Sequence, residues 1–600
     1  MKSPLKPRVG ELRPSQLLFS SGVGAVVDLP HLSTMILGLD DWDIARATEI
    51  GEERLRVAVQ AALGAQVSRL LTPPLAPDTA GTTPFDPAAQ VGVPVATFPR
   101  WVVCPYCHLL APLKSELFEL KSNPYRPDQT AYVHANCSAY KPPTVLPARF
   151  LLACPQGHLD DFPWLEFIHR GPTDCNGPLR LLERGVSGEA ADISVRCEAP
   201  GCGKDRSMAE AFGAEGKENL PLCTGRRPHL RDYDPAGCTE SAERRAILLG
   251  ASNSWFPLQL TVLAVPTAPD KLGQLVETQW HQLEKAQSLQ NITLLRSLGL
   301  LPDFAAYADQ ALWDAVEKKR AGSTGAAAPP ALKTPEWQVF TQPGAHPQSA
   351  DFRATAIAPP ASYAPLLQQV VLVERLREVR ALIGFTRIQS PGEFGEIEEF
   401  PDARRAPLAR QAPQWVPAGE VRGEGIFIQF VEGAVQAWAT GSPAVLARGP
   451  AFQRAHREWR RQRHLDSDRG YPGLRFFLLH TFAHALMRQL ALEAGYSAAS
   501  IRERIYALPP SDPDGPMAGV LLYTAAPDSE GTLGGLVRLG APAELERHLT
   551  GALAAMALCA ADPLCAEHLP TAESAVLHGA ACHACLFAPE TSCERGNKYL

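Results

Sequence analysis

The sequence predicts a multidomain protein of mixed α+β class, with cysteine-rich, zinc-ribbon-like modules in the N-terminal half and at the C-terminus. Its 600 residues are enough for about three to five domains of about 100–200 residues each. Short apolar strands alternate with helical stretches, an order typical of α+β and α/β cores. Nine of the 14 cysteines lie between Cys104 and Cys238 and five between Cys559 and Cys593, so two cysteine-rich regions flank a cysteine-free middle.

The first half of the chain contains both kinds of element. Residues 12–43 alternate short apolar runs with glycines, which predicts strands and tight turns. Residues 44–72 are expected to be helical and residues 73–97, rich in Pro, Thr and Asp, to form a loop. An apolar run at 258–265 predicts a strand, and apolar residues at helical spacing predict helices over 269–320.

The second half continues the mixture. A charged helix is expected at 371–380, followed by a β-hairpin formed by 425–430 and 435–439. A long apolar helix is predicted over 473–494 and a strand over 519–524. We detect no internal repeat.

These elements divide the chain into four expected segments. They are an N-terminal α/β segment (1–100), a region of cysteine-rich zinc-binding modules (101–250), a helical segment whose Ala/Pro-rich insertion at 321–350 is expected to be flexible (251–350), and an α/β domain with a C-terminal four-cysteine zinc site (351–600).

Charge and hydropathy limit the function classes. The net charge of -7 excludes a globally basic coat for nucleic acid, so any site for a polyanion must be a local patch. No apolar stretch reaches the 18 or so residues that a membrane helix needs, and the basic start of the chain is not followed by an apolar signal region. We therefore expect a cytoplasmic protein, in which clustered cysteines are metal ligands more often than disulfides.

The strongest motif is at the C-terminus, where Cys582 and Cys585 form a Cys-x2-Cys turn. Such a turn presents two thiolates to one ion, and Cys565 and Cys593 are expected to complete a tetrahedral zinc site. His568 is an alternative fourth ligand. A redox-active pair is the other interpretation of the turn, but the strand-then-helix context that it needs is absent. Cys559 is expected to be a core thiol.

The N-terminal cysteines predict one or two further zinc sites. Cys104 and Cys107 form a second Cys-x2-Cys turn, Cys137 is the expected third ligand and Cys154 the fourth, with His158 and His108 as alternatives. A second group has wider spacing, and Cys175 is left outside both groups. The members of this second group are Cys197, Cys202, Cys223 and Cys238.

Closed cysteine sites leave no coordination position for water, so we interpret these two or three zinc sites as structural and not catalytic. The motifs of Walker A nucleotide-binding loops, His-Glu-x2-His metalloproteases, phospholipase-D-type nucleases and zinc deaminases do not occur. The chain is therefore not expected to be an enzyme.

One histidine pair keeps an alternative open. His480 and His484 stand four residues apart on one helical face, which is a metal-binding spacing, although the surrounding helix is apolar and favours two core histidines. The alternative function is a metal-dependent nuclease or hydrolase that uses this pair with the carboxylates of the glycine-rich loop at 528–535.

Arginines are densest between residues 454 and 475, where Trp459 and Tyr471 stand among them. Guanidinium groups bind phosphates and neighbouring rings stack on bases, so this segment is a candidate surface for single-stranded nucleic acid. A solvated helix, or a docking face for an acidic partner, is the alternative. The candidate nucleic-acid-binding residues are Arg454, Arg457, Arg460, Arg461, Arg463 and Arg469.

The C-terminal region resembles the DUF1998 domain, which occurs fused to or encoded beside bacterial helicases. The resemblance lies in the His480–His484 helix, the 519–524 strand with its Gly-Gly loop, and the final cysteines with Cys593-Glu-Arg-Gly-Asn. Over most of its length the chain is similar to the DrmB family of the DISARM anti-phage system. The stretches that support this are Arg13-Pro-Ser-Gln16, Gly22-Val-Gly-Ala25, Cys154-Pro-Gln-Gly-His158 through Trp164, Leu376-Arg-Glu-Val-Arg380 and Gly384-Phe-Thr-Arg-Ile388.

This resemblance implies a non-ATPase accessory subunit. Its partner would be a helicase of the DrmA type, and the two together would engage single-stranded or end-containing phage DNA. The family's four-cysteine metal site would map onto Cys565, Cys582, Cys585 and Cys593. No small-molecule substrate and no membrane contact are expected.

Overall fold

A computed structural model describes residues 8–75, 91–185, 188–266, 271–305, 307–324, 331–394, 400–494, 498–524, 535–570 and 577–600. The chain forms two compact units, and both are discontinuous in sequence. The first unit comprises Met1–Gly51, Gln66–Leu260 and Arg380–Gly419, and the second comprises Glu52–Ala65, Thr261–Val379 and Glu420–Leu600. Each unit therefore draws on more than one of the four segments expected from the sequence.

The helices are numbered in chain order. They are α1 (Gln16–Phe19), α2 (Glu53–Leu63), α3 (Trp164–His169), α4 (Gly213–Asn219), α5 (Lys271–Thr278), α6 (Trp280–Leu283), α7 (Leu289–Ser297), α8 (Asp309–Thr324), α9 (Lys333–Thr341), α10 (Glu432–Gly441), α11 (Pro443–Arg461), α12 (Gly473–Ala494), α13 (Gly535–Leu539) and α14 (Pro542–Met556).

The strands are numbered in the same way. They are β1 (Val26–Leu29), β2 (Leu32–Ile36), β3 (Arg69–Leu71), β4 (Val95–Thr97), β5 (Trp101–Val103), β6 (Leu109–Pro112), β7 (Glu119–Lys121), β8 (Ala131–Val133), β9 (Leu146–Pro147), β10 (Phe150–Ala153), β11 (Leu159–Asp161), β12 (Leu179–Glu183), β13 (Ile193–Cys197), β14 (Asp205–Ser207), β15 (Arg226–Arg227), β16 (Asp232–Tyr233), β17 (Arg245–Leu248), β18 (Phe256–Ala264), β19 (Arg353–Ile357), β20 (Leu367–Thr386), β21 (Trp415–Phe430), β22 (Ile501–Tyr506) and β23 (Gly519–Thr524).

The first unit consists mainly of short antiparallel strands. One sheet has the order β14-β13-β12-β6-β5-β9, and smaller sheets have the orders β11-β10-β17 and β1-β2-β4. Two-residue strands such as β15 and β16 bury little apolar area, so turns and loops need other means of fixation. The turns between these strands hold most of the cysteines, as described below.

The second unit is built on a sheet covered by helices. The strand order of this sheet is β18-β20-β21-β23-β22, with β19 beside β20, and the pairs β19–β20, β21–β23 and β22–β23 are antiparallel. The apolar helix α12 lies against β22, β23 and α14, and its buried residues Leu479, Ala483 and Leu486 join the largest hydrophobic core of the described chain. This mixed architecture confirms the predicted fold class.

A buried ion pair fixes α9 to this sheet. Glu336 is fully buried, and Arg504 of β22 donates to its two carboxylate oxygens at 2.9 Å each. The Tyr506 hydroxyl also donates at 2.9 Å, and the backbone N–H of Leu263 donates at 3.0 Å. The carboxylate therefore has four donors from two strands.

Several predicted elements are present with similar bounds. The N-terminal strands are β1 and β2, the apolar run at 258–265 is β18, and the helical stretch is α5 to α8. The bounds of α12 and β23 agree with 473–494 and 519–524. In the region expected to be helical, 44–72, only α2 is a helix. The end of that region, after α2, forms strand β3.

Two predicted elements are wrong. The charged helix at 371–380 is part of the 20-residue strand β20. Its charges are paired across neighbouring segments instead of along a helix, as in the bridges from Arg377 to Asp351 (3.3 Å) and Glu420 (2.9 Å). The expected second arm of the hairpin at 435–439 belongs to the alanine-rich helix α10, because alanine favours helices over strands.

The expected flexible insertion is folded in part. Residues 325–330 lie outside the described residues, but 333–341 form α9 with Val339 and Phe340 buried in a core of aromatic side chains. Within the described residues, no helix combines the length and the apolarity that crossing a lipid bilayer requires.

Candidate metal centres

All 14 cysteines of the sequence fall into five clusters of four potential metal ligands. In each cluster the candidate ligand atoms lie within 4.8 Å of one another. The clusters are centre 1 (Cys104, Cys107, His134, Cys137), centre 2 (Cys154, His158, Cys223, Cys238), centre 3 (His169, Cys175, Cys197, Cys202), centre 4 (Cys559, Cys565, Cys582, Cys585) and centre 5 (His480, His484, Glu503, Cys593).

Centre 1 is formed by a hairpin turn and a loop. Cys104 and Cys107 lie in the turn between β5 and β6, which the bond from the His108 N–H to the Cys104 carbonyl closes at 2.9 Å. His134 and Cys137 follow β8. The Cys104 and Cys137 sulfurs are 3.8 Å apart, and the Cys107 sulfur is 3.5 Å from Nδ1 of His134.

Centre 2 uses the turn between β10 and β11, where Cys154 and His158 face each other at 3.3 Å between Sγ and Nδ1. Cys238 lies 3.7 Å from Cys154, and Cys223 lies 3.7 Å from Nδ1 of His158. The other nitrogen of His158 contacts Asp234 at 3.2 Å. A carboxylate behind a histidine ligand is the usual arrangement that orients the ring and fixes its tautomer.

Centre 3 combines the end of α3 with the end of β13. Cys175 and Cys197 are 3.7 Å apart, and Cys202 is 3.4 Å from Nε2 of His169. Nδ1 of His169 lies 2.7 Å from the Leu165 carbonyl oxygen, so it carries the proton and leaves Nε2 free to bind a metal.

Centre 4 is formed by cysteines alone. Cys582 and Cys585 stand in a turn closed by the Leu586 N–H to the Cys582 carbonyl at 3.0 Å. Their sulfurs are 3.6 Å apart, with Cys559 3.6 Å from Cys582 and Cys565 3.9 Å from Cys585.

The geometry of centres 1 to 4 fits zinc. Zn–S and Zn–N bonds of about 2.3 and 2.0 Å put the ligands of a tetrahedral ion about 3.3–3.8 Å apart. The distances above, 3.3–3.9 Å, agree with this range to about 0.1 Å. All these cysteines are free, and sulfurs at 3.6–3.9 Å are not disulfide-bonded. Centres 1 to 3 each combine three cysteines with one histidine and centre 4 has four cysteines, and both are donor sets of structural zinc sites.

In each of three centres one cysteine is held towards the thiolate, the form that binds metal. By contrast, the hydrogen bond to Cys223 together with burial raises the pKa of its neighbour Cys154, and burial raises the pKa of Cys197 and Cys565. A hydrogen bond from the Cys154 thiol lowers the pKa of Cys223 to about 4, against the effect of burial. The backbone N–H of Lys204 lowers the pKa of Cys202 to about 7. The N–H groups of Ala561 and Asp562 do the same for Cys559, whose pKa falls to about 7.

The structure groups the predicted ligands differently from the spacing. Cys593 does not lie with Cys565, Cys582 and Cys585. The fourth member of their centre, centre 4, is Cys559, which was expected to be a core thiol. The fourth member of centre 1 is His134, and Cys154 belongs to centre 2. The widely spaced group is divided, since Cys223 and Cys238 lie in centre 2 whereas Cys197 and Cys202 lie in centre 3 with Cys175. His108 and His568 belong to none of the five clusters.

Sequence reasoning missed ligands whose partners are distant in the chain. His134 could have been found, because His134 and Cys137 have the same x2 spacing as a Cys-x2-Cys turn. His158 was considered only as an alternative ligand for Cys104. Glu503 has no signal in the sequence, because it is one charged residue in a strand.

The histidine pair of α12 lies in centre 5. Its four donors are buried, with His480 and His484 fully inaccessible. The loop that the hydrolase alternative requires, at 528–535, falls almost entirely within 525–534, outside the described residues.

The candidate nucleic-acid surface lies on α11 and the loop after it. Arg454, Arg457 and Arg461 are exposed and share one helical face, and Arg469 is exposed in the loop. We call these four residues the arginine surface. Arg457 and Arg461 have acidic neighbours, Asp468 at 3.1 Å and Glu458 at 2.7 Å.

Two other arginines predicted to bind nucleic acid, Arg460 and Arg463, are less exposed. Arg460 is 3% exposed and donates to the Asp466 carbonyl, so it offers almost no surface to DNA and we leave it out of the arginine surface. Arg463 is half-buried, with its guanidinium 4.3 Å from the ring centroid of Trp459. Trp459 itself is 3% exposed in the core, so it cannot stack on a base.

Comparisons with known proteins show that this chain is similar to a zinc-binding domain and to a DISARM protein. A model of the MrfA Zn-binding domain matches residues 482–586, which include all of centre 4, and confirms the predicted zinc cofactor. A domain of unknown function, DUF8724, matches residues 13–256. The DISARM protein DrmB of Bacillus paralicheniformis is 30% identical over 533 residues, which cover 85% of this chain and 88% of the relative.

Proposed function

This chain belongs to the DrmB family of DISARM proteins, and from that premise we propose that it is a zinc-stabilised, non-ATPase scaffold subunit of an anti-phage complex. In this proposal it binds the helicase of the same system, of the DrmA type, and helps hold single-stranded or end-containing DNA. The helicase supplies ATP hydrolysis. The observation that carries the proposal is the similarity to a DISARM protein along most of both chains.

The metal centres support a scaffold role. Centres 1 to 4 have closed donor sets, in which protein ligands take all four positions of a tetrahedral ion. When bound, zinc supplies folding free energy to the turns that hold it. The residues proposed as zinc ligands are therefore the members of centres 1 to 4.

The arginine surface supports a contact with DNA. Arg457 and Arg461 keep 48% and 65% of their side chains exposed, and an exposed ion pair with one carboxylate holds a guanidinium weakly. Because Trp459 is buried, we expect contacts to phosphates and no base stacking. Binding should then be independent of DNA sequence and strongly dependent on salt.

The charge-reversal variant Arg454→Glu/Arg457→Glu/Arg461→Glu tests this contact in the complex with the helicase. We expect weaker binding of single-stranded DNA and a salt dependence (log K against log salt) whose slope is smaller by about 2, since three phosphate contacts are lost. Fluorescence anisotropy over a salt series measures both.

A matched control changes three exposed arginines of the first unit that also have one acidic neighbour each: Arg149, Arg170 and Arg196. This control should keep the wild-type slope. An unchanged slope in the Arg454/Arg457/Arg461 variant would remove the arginine surface from the proposal.

The hydrolase alternative has less support. A catalytic zinc needs a position open to water, whereas His480 and His484 are fully buried and share centre 5 with two further protein donors. Nuclease activity of the purified chain without its helicase, lost in His480→Ala or His484→Ala without loss of stability, would favour the alternative.

A further inference from the structure

Centre 5 combines residues from three distant parts of the second unit. His480 and His484 lie one turn apart on α12, Glu503 lies on β22, and Cys593 lies in the C-terminal segment. The side chains of both histidines and of Glu503 are 0% exposed. The family assignment and the zinc-binding match do not name these residues.

The histidine rings are oriented by backbone carbonyls. Nδ1 of His484 lies 2.7 Å from the Leu586 carbonyl oxygen, and Nδ1 of His480 lies 3.2 Å from that of Tyr599. A carbonyl only accepts hydrogen bonds, so Nδ1 carries the proton in both rings. In the neutral rings both Nε2 atoms then present lone pairs to the middle of the centre.

The groups that face these nitrogens are also acceptors. Nε2 of His480 is 3.0 Å from Oε1 of Glu503 and 3.1 Å from Sγ of Cys593, and Nε2 of His484 is 3.4 Å from the same Oε1. Oε1 already accepts the Glu594 N–H at 3.1 Å. Sγ accepts the N–H groups of Arg595 and Asn597 at 3.4 and 3.2 Å, and these two bonds oppose the burial that raises the pKa of this thiol.

Two buried atoms of this centre lack a hydrogen-bond partner among the described residues. They are Nε2 of His484 and Oε2 of Glu503. A buried polar atom without a partner costs about 1–3 kcal/mol, and a charged group costs more. Four groups that can all accept converge in this buried space, and a single cation between them would satisfy all four at once.

We propose that centre 5 is a fifth metal site, in which His480, His484, Glu503 and Cys593 bind Zn²⁺. One carboxylate and one thiolate balance the double charge of the ion, which makes its burial possible. Zinc is preferred to Mg²⁺ or Ca²⁺ because imidazole and thiolate are ligands for softer metals. Four protein donors close the site, so its role is structural.

The ion would fasten the C-terminal segment to α12. Cys593 and Tyr599 belong to that segment, and the Tyr599 hydroxyl also lies 2.9 Å from Nδ1 of His456 on α11. Leu586, whose carbonyl orients His484, directly follows Cys585 of centre 4. Centres 4 and 5 would thus hold successive parts of the C-terminal segment.

The variant Glu503→Gln separates a metal site from a hydrogen-bonded cluster. Glutamine has the same shape, and its NH2 group could donate to the histidine nitrogens, so a metal-free cluster would keep its stability. A metal site would lose its anionic ligand. In the purified full-length chain, zinc analysis by mass spectrometry should give five ions per chain for the wild type and four for Glu503→Gln and for Cys593→Ala.

The control is His548→Gln, which changes a fully buried histidine outside the five clusters and should keep five ions. Five ions in Glu503→Gln and in Cys593→Ala would overturn the proposal. Should the variants fail to fold, zinc-edge anomalous scattering from wild-type crystals decides, because a peak between the four side chains is required and its absence refutes the site. Neither measurement depends on the proposed helicase or DNA contact.

Discussion

Replacing Cys223 with alanine is expected to remove one zinc ion and to unfold the region around centre 2. The apparent binding free energy of a structural zinc is about 10–16 kcal/mol in small zinc-binding domains, which is comparable to the whole stability of a domain, about 5–15 kcal/mol. The strands beside Cys223 and Cys238, β15 and β16, have two residues each and cannot replace it. Zinc analysis and limited proteolysis measure the effect.

The control for this prediction is Cys223→His. Cys223 is only partly buried, so an imidazole can be accommodated and can act as a ligand. We expect this variant to keep more zinc and more protease resistance than Cys223→Ala. A Cys223→Ala protein with the zinc content and proteolysis pattern of the wild type would contradict the assignment of centre 2.

Replacing Glu336 with alanine is expected to destabilise the second unit by about 3 kcal/mol, because buried Arg504 would lose its bidentate partner and keep only the longer contact to Glu594 at 3.6 Å. The Tyr506 hydroxyl and the Leu263 N–H lose their acceptor as well. The midpoint of urea unfolding of the full chain, followed by tryptophan fluorescence, measures the loss.

An exposed ion pair of the same unit provides the comparison. Glu493 pairs with Arg547, whose side chain is 51% exposed, so Glu493→Ala should cost no more than about 1 kcal/mol. Equal effects of Glu336→Ala and Glu493→Ala would show that burial does not strengthen the Glu336 pair.

The parts of the fold that sequence reasoning predicted are those with strong local patterns. Helix α12 is a long apolar run and β23 a short one, and both were predicted within their true bounds. Strand β20 was missed because its charged residues imitate a helical surface, while their partners Asp351 and Glu420 are supplied by other segments. Tertiary pairing overrode local propensity there.

The metal centres show the same division between local and distant information. Pairs within one turn, such as Cys582 with Cys585, could be predicted from spacing, since one loop places both sulfurs. The combination of these pairs with distant ligands is set by the sheets and helices that bring them together. The spacing therefore predicts Cys593 with the other C-terminal cysteines, whereas the structure places it beside His480, His484 and Glu503, and nothing in the sequence indicates Glu503.

The sequence did not show which arginines of the candidate nucleic-acid surface are buried. The four arginines lie on the same helix and differ in the direction in which the helix turns each side chain. Arg454, Arg457 and Arg461 are on the exposed face, and Arg460 is on the core side. The density of arginines in the sequence could not distinguish these two faces without the exact helix bounds.

Co-expression of this chain with the helicase of the same DISARM system, followed by size-exclusion chromatography and zinc analysis of the eluted peak, tests whether the chain is a zinc-stabilised scaffold subunit. We expect one peak that contains both proteins, with zinc bound to this chain. The Arg454/Arg457/Arg461 variant should elute in the same complex while binding DNA less strongly. Elution of this chain apart from the helicase, as a stable species on its own, would contradict the scaffold role.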